Sequence, residues 1–286
     1  MSNITDLNVR YFNAEKAHEY DNPSTLAVTK IISKKILQLS TESANPAVNL
    51  DQASSYEQFS EDSVDVNEHF TNVDKFWESK TIRLLDFACG TGLISEHLAP
   101  YCDSILGLDI SPAMVDKFNH KFQILNVKKE KAHAEHVDLR SETEPNDRIA
   151  GKYDAAVCSM AYHHIKDVDF ITKKLKDCLK SSGRLYVVDF LRGAGSFHGN
   201  MSADFHASHG IGHPNGFTKQ QYIELFEKTG FKDVVVSDGF QTKVWVDEAK
   251  YHKSTSNPNP EVKQLTKDKA LYAVKLGLVI ASGRKP

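Results

Sequence analysis

Two adjacent histidines in the middle of the chain offer acid–base chemistry. Residues 153–158 are predicted to form a buried strand, and residues 159–164 follow it directly. Open α/β sheets bind ligands at the carboxyl ends of their strands, so this segment is expected to border a pocket. His163 and His164 cannot share one face of a regular element, so at most one is expected to point inward. A neutral imidazole there can accept a proton from a hydroxyl, amine or thiol. The alternative is that one histidine caps the next helix and the other binds the backbone.

An acidic residue stands near the end of the next predicted strand. Residues 185–190 read Leu-Tyr-Val-Val-Asp-Phe, and Asp189 is expected to face the same pocket. Paired with a histidine, this carboxylate can orient the imidazole or bind a substrate directly. A structural hydrogen bond to the following loop is the alternative.

The loop that follows is rich in histidine. Four histidines fall between residues 191 and 217, namely His198, His206, His209 and His213. The spacing of the last three can converge on a metal ion if the segment is helical. Two glycines and a proline interrupt the segment, and no cysteine or carboxylate pair lies nearby. We therefore predict a polar lid over a substrate pocket and no metal.

A glycine-rich turn at residues 88–92 separates a predicted strand at 82–87 from a predicted helix that begins at Leu93. Glycine lets backbone N–H groups approach a ligand closely, so a strand, a tight turn and a helix in this order indicate a nucleotide site. A dinucleotide-binding fingerprint requires glycine or alanine where Ser95 stands, and it does not include an acid such as Asp86.

A second acidic residue supports this interpretation. Asp109 ends the next predicted strand, seventeen residues after Gly92. A carboxylate in that position can accept hydrogen bonds from both hydroxyls of a ribose. Ser111 and Pro112 then provide a helix N-cap and first turn.

The run Asp-Phe-Ala-Cys-Gly-Thr-Gly at 86–92 resembles motif I of the class I methyltransferases that use S-adenosylmethionine (SAM), usually Asp/Glu-x-Gly-x-Gly-x-Gly. Ala88 replaces the first glycine, and alanine disfavours positive φ, so we expect negative φ there. The run at 153–164 is similar to the fourth-strand block of small-molecule methyltransferases, Tyr-Asp-x-Val-x-Ser-x-x-x-His-His. Gly-Ser-Phe-His at 195–198 resembles a type-11 subset of the family.

The resemblance implies a set of cofactor contacts. Asp86, Ala88, Gly90 and Gly92 are expected to shape the turn at the methionine end of SAM, with Asp109 on the ribose. Ile110 and Met114 are expected to flank the adenine, and Ser159 to lie beside the cofactor. His133 and Ala134 align best with the family's adenine-amine contact, and Asp138 is the alternative.

The resemblance also implies an acceptor side. Tyr11 and Tyr20 lie in an N-terminal segment that folds over the pocket in the family, where an aromatic face attracts a sulfonium cation. Two ordinary half-buried tyrosines are the alternative. His198 and His213 are expected on the acceptor side, and His163, His164 and Asp189 are the catalytic candidates.

The predicted fold is a single α/β domain over residues 1–286. It is doubly wound, with a seven-stranded, mostly parallel sheet, a C-terminal antiparallel hairpin and a helical N-terminal cap. The cap spans 10–40, with one short helix at 11–20 and a longer one from Pro23. An acidic insertion spans 41–80, the cofactor-binding core 82–190, the acceptor-side loop 191–217, and the last helix and strands 218–283. Within the last part, residues 240–268 are expected to be irregular, and 271–281 are the last strand.

Composition narrows the functional classes. The 286 residues carry a net charge of −3, so no basic field favours nucleic acid. No run of eighteen apolar residues predicts a membrane span, and no secretory signal is visible. Four scattered cysteines fit reduced thiols in the cytoplasm.

The predicted function is methyl transfer from SAM to an oxygen, nitrogen or sulfur atom of a small molecule. Two alternatives are a protein methyltransferase, whose acidic 41–80 segment docks a basic partner, and a non-catalytic SAM-binding module. A nicotinamide enzyme is a further alternative.

Overall fold

A twisted sheet runs through the molecule and carries the candidate residues at one edge. The computed structural model describes residues 4–41, 70–141, 143–194, 202–255 and 258–286, and the bounds below refer to these parts of the chain. Their strands are β1 Ile82–Phe87, β2 Cys102–Asp109, β3 Ala132–His136, β4 Tyr153–Ser159, β5 Leu179–Phe190, β6 Lys232–Val236, β7 Phe240–Val246, β8 Val262–Thr266 and β9 Lys269–Arg284.

The sheet order confirms a mostly parallel, doubly wound fold with antiparallel C-terminal strands. The main path is β3-β2-β1-β4-β5-β9-β6, in which β1 to β5 pair in parallel and β9 is antiparallel to both of its neighbours. The path has the seven strands expected. Two further strands, β7 and β8, pair with the first part of β9 and bring the described sheet to nine strands.

The expectation of an irregular segment at 240–268 is wrong. The segment contains β7, β8 and a helix between them. Seven consecutive residues of β7 pair with β9, from Phe240 opposite Leu278 to Val246 opposite Tyr272. A sixteen-residue β9 is long enough to pair with β5 and β6 through its second half and with β7 and β8 through its first.

The helices lie on both faces of the sheet. Those in the described residues are α1 Ile4–Tyr11, α2 Ala14–Tyr20, α3 Pro23–Gln38, α4 Lys75–Glu78, α5 Leu93–Leu98, α6 Pro112–Ile124, α7 Val168–Cys178, α8 Ala203–Ser208, α9 Lys219–Lys228 and α10 Glu248–Ser254. One apolar cluster joins the sheet to α3, α5 and α6, and a second joins it to α7 and α9. Neighbouring β4 residues alternate between them, since Val157 belongs to the first cluster and Cys158 to the second.

Polar caps fix the helix starts that position the site. Ser111 caps α6 with Pro112 in its first turn, as predicted, and Thr218 forms a capping box with Gln221 at the start of α9. The predicted helix at 11–20 corresponds to α2, which begins at Ala14 because Asn13 accepts a hydrogen bond from the Lys16 N–H at 3.0 Å; a separate helix, α1, ends at Tyr11.

Some sequence predictions fall outside the described residues. Residues 42–69, which form most of the acidic insertion, and His198 are among them. The four cysteines are buried thiols, and the cytoplasmic location stays a prediction. No described helix is both long and apolar enough to cross a membrane.

Candidate active site

The turn after β1 holds three residues with positive φ: Ala88 at 56°, Gly90 at 53° and Gly92 at 85°. The expected negative φ at Ala88 is therefore wrong. Both residues after it are held by the neighbouring strand, since the Cys89 N–H donates to the Leu108 carbonyl at 3.2 Å and the Gly90 N–H donates to Asp109. The left-handed conformation costs a non-glycine residue roughly 1–2 kcal/mol, which these bonds offset.

Asp109 joins the end of β2 to this turn. Its Oδ2 accepts the Gly90 N–H at 2.9 Å, and its Oδ1 accepts the Ser111 N–H at 2.8 Å. Burial raises the pKa of the carboxyl group, while the two backbone N–H bonds oppose that rise. The carboxylate borders a cavity and retains lone pairs for further donors.

The other acidic residue of the motif lies deeper. Asp86 is 2% exposed, and its Oδ2 accepts a hydrogen bond from the Ser95 hydroxyl at 2.6 Å. Burial raises its pKa to about 7. Gly92 contributes through packing, because a Cβ added there would stand 2.7 Å from the Phe118 ring.

The first of two cavities, termed the strand-end cavity, has a volume of about 300 Å³ and lies at the carboxyl ends of β1, β2 and β4. Six of the predicted cofactor residues border it: Ala88, Gly90, Asp109, Ile110, Met114 and Ser159. In the part of the chain that is described, two buried oxygens in its wall, Ser159 Oγ and Asn8 Oδ1, lack a hydrogen-bond partner. A ligand in this cavity would supply their missing partners.

The two residues expected at the adenine amine lie apart from the cavities, and their role stays a prediction. His133 and Ala134 lie within β3, away from both cavities. The His133 ring contacts the Lys129 carbonyl at 2.9 Å, and the Ala134 N–H donates to Asn119 at 2.8 Å. The alternative residue, Asp138, follows β3 and borders the strand-end cavity.

The second cavity, termed the cap-side cavity, has a volume of about 280 Å³ and lies between the N-terminal helices and the turn after β1. The two cavities share seven wall residues, which form a junction: Phe12, Tyr20, Ala88, Gly90, Ser159, Met160 and His164. Tyr11 and Asp86 border the cap-side cavity alone. Two ligands bound in these cavities would therefore meet at the junction.

Asp189 and His163 form a buried pair behind the cap-side cavity. The His163 ring Nδ1 lies 2.8 Å from Asp189 Oδ1, and the His163 backbone N–H donates to Oδ2 at 3.0 Å. The exposed fraction is 3% for the histidine and 0% for the aspartate. His163 borders the cap-side cavity and Asp189 does not, so the carboxylate is separated from the cavity by the imidazole.

His164 borders both cavities, so the expectation that only one histidine would reach a pocket is wrong. The two residues lie in a 3₁₀ turn, Tyr162–His164, with ring centroids 4.2 Å apart. The expectation assumed a regular strand or α-helix. In this short turn, the side chains of both histidines reach the cap-side cavity. The Nδ1 of His164 lies 3.3 Å from the Gly210 carbonyl.

Three hydrogen bonds join the N-terminal helices to the site. The Asn8 amide donates to the His164 carbonyl at 3.2 Å, and the Ser111 hydroxyl donates to the Phe12 carbonyl at 2.5 Å. The Thr91 hydroxyl donates to Asp21, whose carboxylate also pairs with Lys121 at 2.9 Å. The N-terminal segment therefore forms a wall of both cavities.

The histidine-rich loop supports the site through its backbone. His213, predicted on the acceptor side, does not border either cavity; its N–H donates to the His163 carbonyl at 2.9 Å. His209 borders the cap-side cavity instead, stacked on Phe205 with ring centroids 3.7 Å apart. Within the ranges described, no group of three or more His, Cys, Asp or Glu side chains could hold a metal ion.

Sequence reasoning missed several wall residues. They come from the N-terminal helices, from the end of β4 and from β7 and α10: Asn8, Phe12, Lys16, Met160, Trp245 and Lys250. For β7, the run Phe-Gln-Thr-Lys-Val-Trp-Val, rich in β-branched and aromatic residues, was an available signal for a strand.

Residues 56–236 match the family profile described as a methyltransferase domain. The chain is 43% identical over 288 residues to an uncharacterized methyltransferase of Schizosaccharomyces pombe, and the match covers 100% of both chains. The fold is similar to two solved structures, each 16% identical over 72% of this chain. One is a candidate methyltransferase of Bacillus halodurans, with a TM-score of 0.54 and 94% of that chain covered. The other is the YcgJ protein of Bacillus subtilis, with a TM-score of 0.52 and 92% covered.

Proposed function

Because this chain belongs to the methyltransferase family, among the class I enzymes that depend on SAM, we propose that it transfers the methyl group of SAM to an oxygen, nitrogen or sulfur atom of a small molecule. The observation that carries the proposal is the junction between the two cavities. The strand-end cavity has the residues that a nucleoside requires, and the cap-side cavity opens onto it beside a histidine–carboxylate pair.

The residues of the strand-end cavity fit SAM. A Cβ added at Gly90 would meet nothing within 4 Å, so the turn leaves open space at the junction of the two cavities. Asp109 offers a buried carboxylate for the ribose hydroxyls, and Ser159 Oγ offers a buried oxygen without a partner. Ile110 and Met114 supply apolar surface for adenine, and Asp138 supplies an acceptor for its amine.

When bound, SAM supplies an electrophilic methyl group on a cationic sulfur. The chain's own contribution is to orient the two reactants and to exclude water. The rings of Phe12 and Tyr20 at the junction favour a cation by their π faces. Burial raises the pKa of Tyr20 to about 12, so its phenol stays neutral at physiological pH.

His163 is the proposed proton acceptor. With its Nδ1–H donating to Asp189, its Nε2 is the basic nitrogen, and the carboxylate fixes the tautomer and orientation of the ring. His164 lies next to it and borders both cavities, so it can position the acceptor at the junction. A proton removed from a hydroxyl, amine or thiol would be held on His163 during methyl transfer.

The size of the cap-side cavity favours a small acceptor over a polypeptide. The N-terminal segment that borders it is held to the turn after β4 and to the start of α6 by hydrogen bonds. Its volume of about 280 Å³ is close to the lower limit for pockets that bind small molecules.

The test is thermal unfolding with SAM, S-adenosylhomocysteine and NAD, followed by incubation of a cell extract with methyl-labelled SAM. A ligand that binds the native state raises the unfolding midpoint. We expect a rise with SAM and S-adenosylhomocysteine but not NAD, and label in a small-molecule fraction. Stabilisation by NAD alone would contradict the proposal that SAM is the cofactor. Label only in protein would contradict the acceptor class, and SAM binding without transfer to any fraction would favour a binding module.

A further inference from the structure

The outer wall of the cap-side cavity comes from segments that the family profile does not include. Residues of α2 and α3 precede the matched range of 56–236, and residues of β7 and α10 follow it. The acceptor is therefore recognised largely by parts of the chain added to the common domain.

Two lysines stand in this outer wall, far apart in sequence. Lys16 lies on α2 and Lys250 on α10, and both border the cap-side cavity. Lys250 is exposed and Lys16 is half-buried, which places both at the cavity mouth. The Lys16 ammonium lies 5.3 Å from the centre of the Tyr11 ring.

The charges around the two lysines favour an anion. The nearest carboxylate to Lys16 is that of Glu19, with an N–O distance of 3.6 Å and a side chain that is 62% exposed. Lys250 is exposed as a residue, but partial desolvation of its ammonium group and the positive charge of Lys16 lower its pKa, while the carboxylates of Asp247 and Glu19 oppose that shift. Lys16 is thus close enough to Lys250 to act on it electrostatically, and an anionic ligand at the wall that they share would be attracted by both positive charges.

The interior of the cavity is suited to an apolar body. Tyr11, Trp245 and Phe190 contribute rings, and Val246 and Leu276 contribute aliphatic surface. The Trp245 backbone is held by Ser24, whose hydroxyl accepts the Trp245 N–H at 3.1 Å. A flat ring can contact these groups while an attached anionic group reaches the mouth.

We propose that Lys16 and Lys250 form an anion subsite at the mouth of the cap-side cavity, so that the acceptor is an aromatic or apolar small molecule carrying a carboxylate or phosphate group. This inference rests on the proposed function for its identification of the ligand as the methyl acceptor, but the subsite itself can be tested by binding.

The test uses four probes with and without saturating S-adenosylhomocysteine: benzoate, phenyl phosphate, and the neutral analogues benzamide and benzyl alcohol. Their affinities are measured by calorimetry for the wild type, for Lys16→Gln, for Lys250→Gln and for the double variant. Lys253→Gln is the matched control, because this exposed lysine lies on the same helix, removes the same charge and does not border the cavity.

We expect at least one anionic probe to bind roughly fivefold or more tightly than its neutral analogue, because charge-assisted hydrogen bonds are about twice as strong as neutral ones. The preference should fall in each single variant, vanish in the double variant, survive in Lys253→Gln and weaken with added salt. Benzoate and phenyl phosphate distinguish a carboxylate from a phosphate site.

Equal affinity for anionic and neutral probes, no saturable anion binding, or a preference that survives in the double variant would overturn the subsite. Binding of S-adenosylhomocysteine is measured separately in the same experiment. Failure of S-adenosylhomocysteine to bind would count against the proposed function, while the anion preference is still measured on the protein alone.

Discussion

Asp189 holds His163 with both of its carboxylate oxygens, one on the ring Nδ1 at 2.8 Å and one on the backbone N–H at 3.0 Å. The side chain and backbone of one residue are thereby fixed by a single buried group. Asp189 Oδ1 also accepts the Phe190 N–H at 2.7 Å, which fixes the carboxylate itself. This arrangement leaves the histidine little freedom to rotate away from the cavity.

The first prediction concerns this pair. Asp189→Asn keeps the shape of the side chain but removes the charge that stabilises a protonated imidazole, so turnover should fall about 10²-fold or more with little change in KM for the acceptor. The pH profile of kcat should shift as well. The measurement is steady-state kinetics across pH, once an acceptor is known.

His163→Gln should reduce turnover like Asp189→Asn, whereas His164→Gln should mainly raise KM. Combining the His163 and His164 changes to alanine without losing turnover would eliminate the acid–base role. An unchanged unfolding midpoint in Asp189→Asn separates a catalytic effect from a loss of folding.

The second prediction concerns the ribose contact. Asp109→Asn should weaken SAM binding at least about tenfold, because hydrogen bonds to a charged acceptor each contribute about 1.5–3 kcal/mol. Isothermal calorimetry with S-adenosylhomocysteine measures the change. Asp103→Asn, an exposed residue on the same strand, is the control and should bind normally. Equal affinity in Asp109→Asn would remove this residue from the cofactor site.

The third prediction is a pH dependence of stability. The folded pKa of Asp86 is about 7, above its unfolded value of 3.8, so the folded state binds more protons between these values. The protonated Asp86 carboxyl group therefore stabilises the folded state. This contribution to the free energy of unfolding is fully present below pH 3.8 and is lost as the pH rises through 7. From about pH 5 to pH 8 the loss is at most about 3 kcal/mol.

Asp86→Asn cannot titrate, so its free energy of unfolding should fall less over that pH range than that of the wild type. Urea unfolding at the two pH values measures both proteins, and taking their difference removes the contributions of other carboxylates. Parallel pH profiles for the two proteins would show that Asp86 ionises normally in the folded state.

The fourth prediction concerns backbone strain in the turn. Ala88 has a φ of 56°, so Ala88→Gly should raise the free energy of unfolding by about 1 kcal/mol. Ala161→Gly is the matched control. Ala161 also borders the strand-end cavity but has a φ of −130°, so glycine there should destabilise by about 0.5–1 kcal/mol. The same sign for both variants would contradict the strain argument.

Local signals in the sequence were sufficient for much of the fold. The glycine turn, the acid at the end of β2 and the N-cap of α6 depend on neighbouring residues, and the structure places all of them as predicted. The helix starting at Pro23 follows the same logic, with Asn22 as its cap.

What failed depends on contacts between distant residues. The positive φ of Ala88 accompanies hydrogen bonds to β2, and the pairing of β7 depends on β9, which extends past it. The composition of β7 was a local signal for a strand, but it did not show the partner. His133 was expected in the site from its position along the chain, but it lies near the start of β3, and the β3 side contributes to the cavity through Asp138, beyond the carboxyl end of the strand. None of these pairings is encoded within a short window of sequence.

The hydrogen bonds that join the N-terminal helices to Thr91, Ser111 and His164 have a kinetic consequence. Because the same helices border both cavities, breaking and re-forming some of these bonds would widen the route by which a spent ligand leaves. Lid rearrangements of this kind occur over microseconds to milliseconds and often limit the rate of a catalytic cycle. Turnover would then depend on solvent viscosity, and shortening the Asn8, Ser111 or Thr91 side chain would accelerate product departure even as it weakened retention of the bound ligands.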